Sequence, residues 1–145
     1  MATPYHVRLV SADRELYSGP ATYVHVAGID GEMGILAHHL PLVTPLKIAA
    51  VEVETDGGER LVFAVHGGFV EVGTDGVTIL AEVAETRDMI QVERARQALE
   101  RAGRRLSGTP GAVDRVRAEA ALERARTRLR VAGALETAEA ATRRP

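Results

Sequence analysis

AAVEVETDGGERLVFAVHGGFVEVGTDGVTILAEV, residues 49–83, decides how the first part of the chain is read. Val51 and Val53 alternate with Glu52 and Glu54, the period-two pattern of a strand with one face in a core. Asp56-Gly57-Gly58 supplies a turn, and Leu61, Phe63 and Val65 return on one face. Gly67-Gly68 predicts a bulge or bend within the returning strand. Val70 and Val72 carry the strand on, Thr74-Asp75-Gly76 turns again, and Val77 and Ile79 close the run. Short strands with turn signals this closely spaced indicate a sandwich or barrel.

The same pattern extends upstream. YHVRLVSAD (5–13) alternates, and ATYVHVAGIDGEMGIL (21–36) reads as two short strands around the turn dipeptide Asp30-Gly31. Downstream, the period changes near Thr86. Asp88, with Gln91 three residues on, predicts a capping-box helix start. Val92, Ala95, Leu99, Ala102 and Leu106 then recur at spacings of 3 and 4, one stripe of a helix. SGTPG (107–111) interrupts it. A second helix is expected to start between Pro110 and Asp114, with Ala118, Leu122, Ala125, Leu129 and Ala132 as its stripe. Two such stripes joined by a short loop predict an antiparallel helical hairpin. Half of the stripe positions are Ala, so the helices can approach closely but bury little apolar area. A marginally stable hairpin, able to open or redock, is the consequence.

Composition sets limits on function. The 145 residues are 46% hydrophobic but only 3% aromatic, with no Trp, so the core is aliphatic. The absence of Cys excludes disulfides, thiolate metal sites and thiol nucleophiles, and fits a cytoplasmic setting. No apolar run is long enough for a signal peptide or a membrane span. The net charge of −2 conceals a polarity. Residues 1–86 carry 4 basic and 12 acidic side chains, whereas residues 87–145 carry 14 basic and 8 acidic. An acidic first module thus precedes a basic second one, each suited to different partners.

No catalytic constellation emerges. His6, His25 and His66 sit within strands and read as ordinary strand-face residues. His38-His39 would point to opposite sides of an extended chain and make a poor chelating pair. Ser11, Ser18 and Ser107 lack a nucleophile-elbow context, and GIDGEMG is not followed by the Lys-Ser/Thr of a phosphate-binding loop. The Arg-rich second module reads either as a solvated helix face or as a contact for an acidic partner. A nucleic-acid-binding adaptor is the alternative, opposed by the absence of aromatic residues from that module. A small-ligand enzyme using His38-His39 lacks a partner base or nucleophile.

The motifs YHVRLVSAD, LYSG, GIDGEMGIL, HLPLVTPLK, HGGFVEV, VTILAE, VERARQALERA and RAEAALERARTRLRVA occur in an order and spacing that resembles the bacterial ATP synthase epsilon subunit family, from Tyr5 to about Ala132. The resemblance implies a ten-stranded β-sandwich over residues 1–86, a regulatory α-helical hairpin over 87–135, and a frayed tail over 136–145. It implies a non-catalytic central-stalk subunit, peripheral on the cytoplasmic face of the bacterial cell membrane. The implied partners are the gamma subunit, the c-subunit ring and, through an extended hairpin that inhibits ATP hydrolysis, the alpha and beta subunits. Membrane association is then only through the complex, with no role for nucleic acid. Glu32 and His39 match the family's c-ring contact positions, with Met33 and Leu40-Pro41-Leu42 as apolar neighbours. Ala37-His38-His39 stands where the family usually has Pro-Gly-His, a departure that bears on the shape of that loop. Arg94, Arg101, Arg104, Arg105, Arg115, Arg124, Arg126 and Arg128 match a basic hairpin that meets acidic loops of the beta subunits. Some family members bind regulatory ATP. The matching positions are Glu85, Ile90, Gln91, Arg94, Ala95, Arg101, Arg124 and Arg128. Gln91 replaces the motif's Asp, which implies weak binding. No metal or catalytic cofactor is implied.

Overall fold

The computed structural model describes residues 2–133, and the chain divides after Thr86 into two units. Residues 134–145, which include the expected tail and the last residues assigned to the hairpin, lie outside the described residues.

Seven strands form the first unit: β1 (Tyr5–Val10), β2 (Glu15–Gly28), β3 (Gly31–Ile35), β4 (Leu42–Thr55), β5 (Arg60–Val72), β6 (Gly76–Ala81) and β7 (Ala84–Thr86). Their order is β1-β6-β5-β4-β2-β3, with β7 on β5. β1 also pairs antiparallel with β2 while pairing parallel with β6, so the sheet closes on itself. The ten strands implied by resemblance are therefore seven among the described residues. The reason is that β2, β4 and β5 span 14, 14 and 13 residues and stay continuous where they change partners. β2 pairs β1 through Ala21, then β3 and β4 from there to Gly28, with register shifts between Ala21 and Tyr23 and between His25 and Gly28. Bulged strands of this kind turn the corners of a sandwich without ending.

The alternation read from residues 49–83 is the burial pattern. Val51, Val53, Phe63, Val65, Val70, Val72, Val77 and Ile79 are buried with Val7, Leu9, Val24, Val26 and Ile35 in one aliphatic core. Gly67-Gly68 is the bend. Both have positive φ, +82° and +127°, and here β5 passes from β6, paired over residues 68–72, to β7, paired over 63–65. The amide of Glu82 donates to the carbonyl of Gly67 (3.1 Å), and that of His66 donates to the carbonyl of Val83 (2.9 Å). A Cβ at Gly68 would lie 2.1 Å from the Leu80 carbonyl oxygen, so a side chain there is incompatible with the crossing.

The second unit holds a 3-10 turn at Arg87–Met89 and helices α1 (Val92–Ser107) and α2 (Ala112–Val131). Ala95 and Ala102 are buried on α1, as are Ala118, Ala125 and Leu129 on α2, with the other stripe residues half-buried. The capping box is not formed. Asp88 lies in the 3-10 turn, the Ile90 amide donates to the Arg87 carbonyl, and Gln91 becomes the N-cap without a side-chain cap bond. The extra turn moves the helix start three residues past the position that Asp88 would have capped. α2 ends with Gly133 at φ +82°, the left-handed residue of a helix stop. Arg87 Nη2 donates to the Ala132 carbonyl at 3.2 Å, tying the entry of the unit to the end of α2.

Candidate functional site

Three surfaces carry the candidate chemistry, and the first is the segment after β2. The two-residue loop Ile29-Asp30 joins β2 to β3, with Gly28 paired to Gly31, so Gly31 opens β3 rather than completing the turn. Glu32 lies exposed on β3 opposite Ala27. The segment 36–39 forms a turn rather than the extended chain in which His38 and His39 were expected to point to opposite sides. The amide of His39 donates to the Leu36 carbonyl in a β-turn, with His38 at φ +65°. A left-handed third residue is where such turns favour Gly, and the second position favours Pro. Ala37-His38 thus fulfils, at a conformational cost, the geometry that Pro-Gly adopts freely. His39 Nδ1 lies 2.7 Å from the Leu40 carbonyl, which fixes its ring, and His38 is exposed. The apolar neighbours divide: Met33 and Leu42 pack on the core, whereas Leu40 is 80% exposed beside exposed Pro41. A cleft of about 340 Å³ lies between this turn and Tyr5, Thr74 and Val77. The Tyr5 hydroxyl donates to the Ile35 carbonyl at its base.

A second surface went unread in the sequence. On the outer side of the sheet, Pro45 pairs with Phe69, Phe69 with Leu80, and Leu80 with Val10. Four apolar side chains therefore form one row across β4, β5, β6 and β1, with Val43 one row away. Phe69 is 50% and Val43 66% exposed. Their signal was present: Phe69 and Leu80 fall out of phase with the inward alternation of their own strands. A contiguous exposed apolar row marks an interaction surface.

The residues matched to a regulatory nucleotide site lie on both units. Glu85, on β7, is engaged: its Oε1 lies 2.7 Å from Nε2 of His66, a buried side chain on β5. His66 is thus more than a strand-face residue, because it bridges the last two-strand pairing of its unit. In the helical unit, Ile90 is half-buried, Gln91 caps α1 and Ala95 is part of its buried stripe. Arg94 and Arg101 are exposed on α1, while Arg124 and Arg128 lie half-buried one turn apart on α2. Arg104 and Arg105 gather instead with Arg117 around the interhelical loop, in a cavity of about 540 Å³. Arg126 pairs with Glu123 at 3.3 Å, a solvated i,i+3 contact. Among the described residues, no group of three metal-ligating side chains occurs, and no helix is long and apolar enough to cross a membrane.

Comparison with known proteins agrees with both units. The family model described as "ATP synthase, Delta/Epsilon chain, beta-sandwich domain" matches residues 4–87, and the companion long alpha-helix domain matches 88–133. An ATP synthase epsilon chain from Halalkalibacterium halodurans is 50% identical, over 88% of this chain and 96% of that one. One from Shouchella clausii is 49% identical, over 91% and 96%. Among solved structures, a chain of the Euglena gracilis mitochondrial ATP synthase, in an assembly of OSCP, F1 and c-ring, superposes with a TM-score of 0.75 at 30% identity. It covers 94% of this chain and 81% of that one. A chain of the Tetrahymena thermophila central stalk and c-ring shares the fold, with a TM-score of 0.63 at 13% identity. The closed seven-stranded unit, the two-helix unit after it and the matches across both place this chain in the ATP synthase delta/epsilon family.

Proposed function

We propose that the chain serves as the non-catalytic epsilon subunit of a rotary, proton-translocating ATP synthase, joining the c ring to the gamma subunit. Residues 1–86 carry the rotor contacts, and residues 87–135 form the regulatory hairpin. The observation that carries this reading is the exposed apolar row Pro45–Phe69–Leu80–Val10, paired strand to strand across the closed sheet. An apolar row held by strand pairing suits a permanent shaft contact, because little backbone entropy is lost on docking. Glu32, His39 and exposed Leu40 suit the polar loops of a c ring: a carboxylate for Arg or Lys, an imidazole for hydrogen bonds, one apolar contact. Peripheral attachment at the cytoplasmic face follows from that assembly and needs no span of its own.

The hairpin is read as a two-state element that inhibits ATP hydrolysis when extended towards acidic loops of the beta subunits. Its Ala-rich interface supports this reading, since a gap of a few kcal/mol suffices for such a switch. Regulatory ATP is read as weak, because Gln91 lacks the carboxylate of the motif and Glu85 is already held by His66. The comparisons give no support to the nucleic-acid adaptor.

Co-elution of the full chain with the alpha–beta–gamma core of the same organism tests the reading. A complex stable at micromolar concentration, lost at least tenfold in affinity with Phe69→Ser and Leu80→Ser together, is the expected result. Unchanged association of that double variant would refute the assignment of the row. Inhibition of hydrolysis through basic side chains weakens with salt; inhibition equal at low and high salt would refute its electrostatic part.

A further inference from the structure

The interhelical loop gathers a cluster of charge, of which Arg104 and Arg105 are also among the arginines matched to a beta-subunit contact and Arg117 is not. Arg104 and Arg105 end α1, Arg117 lies in the second turn of α2, and Gly108, Thr109 and Pro110 form the loop between them. These residues line one cavity of about 540 Å³, with Asp114 as its one carboxylate. Elsewhere on the same helices, two exposed arginines have carboxylate partners, Arg96 with Glu93 and Arg126 with Glu123, whereas Arg94, Arg101, Arg115 and Arg130 are exposed without lining this cavity. Among the described residues, Arg104, Arg105 and Arg117 have no ion pair, Asp114 included. Three guanidinium groups around a concavity present forked donors in the geometry that suits phosphate oxygens.

We infer that the closed end of the helical hairpin is a binding site for a polyvalent phosphate group, held by Arg104, Arg105 and Arg117. The guanidinium groups supply the charge and the hydrogen-bond donors. The site is separate from the set Arg101, Arg124 and Arg128 matched to regulatory ATP, and it stands without that reading. Phosphate of this kind comes either free in solution or on an anionic lipid headgroup.

The test uses the full chain labelled with ¹⁵N and titrated with pyrophosphate at low salt. Shifts confined to the Arg104–Arg117 segment, with affinity falling at least tenfold in Arg104→Gln/Arg117→Gln, are the expected result. The variant Arg96→Gln/Arg130→Gln removes the same charge elsewhere on the helices and should bind as the parent does. Shifts spread over all arginines, or equal losses in the two double variants, would overturn the site. A parallel arm replaces pyrophosphate with vesicles containing phosphatidic acid, whose terminal phosphomonoester has two ionisable oxygens. Vesicle binding that depends on Arg104 and Arg117 without pyrophosphate shifts would assign the phosphate to a lipid headgroup. The reverse pattern would assign it to a free anion. Neither ligand engaging these arginines would refute the inference. Circular dichroism of each variant confirms that the helices remain, as exposed side chains are replaced throughout.

Discussion

Replacing Gln91 with Asp should stabilise the start of α1, because the structure places this residue at an empty cap. Gln91 has φ −92° and ψ 101°, the extended conformation of an N-cap, and makes no side-chain cap bond. Its longer side chain is poorly suited to reach back to the first-turn amides, whereas the shorter carboxylate of Asp reaches the second or third N–H. A good cap contributes about 1 kcal/mol over a non-capping residue, and a negative charge at a helix N-terminus adds about 0.3–1 kcal/mol. Glu93 already lies in the first turn, so repulsion offsets part of the second term. The net expectation is roughly 1 kcal/mol, or about fivefold less opening of the first turns of α1 and correspondingly slower exchange. Native-state amide hydrogen exchange of Glu93 to Arg96 reads this directly. Gln91→Asn separates the contributions, as it can cap without charge. If both variants leave exchange in α1 unchanged, position 91 does not act as the cap and the reasoning fails. The same substitution restores the motif's carboxylate, so calorimetry with ATP on Gln91→Asp asks whether that group, rather than the arginines, limits nucleotide binding.

Gly68→Ala should destabilise the sheet unit by about 3–5 kcal/mol, combining the strain of a non-Gly residue at positive φ with displacement of the Leu80 carbonyl. Gly31→Ala, at φ +141° with open space around it, carries the strain alone. Equal denaturant midpoints for the two variants would disprove the steric part. His38→Gly should stabilise the same unit by about 1 kcal/mol by relieving a left-handed residue, read as a rise in thermal midpoint, and a fall would contradict the turn assignment. Burial, with Tyr23 adding to it, pushes the Tyr5 hydroxyl up to about 12 from its ordinary 10.0. The native state favours the neutral phenol, so this contribution is complete below pH 10 and is lost as pH rises from 10 to about 12. Tyr5→Phe should flatten stability across that window, and an unchanged alkaline slope would rule Tyr5 out as its source.

Local sequence determined what periodicity can encode. Val51, Val53, Leu61, Phe63 and Val65 mark one face of two strands, and the Ala and Leu stripes mark two helices, because each pattern is set by neighbours within a turn or a pleat. Gly67-Gly68 announced its bend, since only glycine adopts those angles freely. The motif resemblance supplied the family and the candidate contact residues, which no pattern of spacing could have given. Tertiary structure decided the rest. The row Val10–Leu80–Phe69–Pro45 exists only because β1 pairs parallel to β6, an arrangement between residues about 70 apart in the chain. His66 and Glu85 meet because β7 folds back on β5 across 19 residues. Asp88 had a plausible cap pattern, but the 3-10 turn took the segment and passed the role to Gln91. The first two cases are pairings between residues far apart in the chain, which local periodicity cannot encode, and the third is a choice between two local hydrogen-bond patterns of similar energy, so each becomes visible only once the chain has folded.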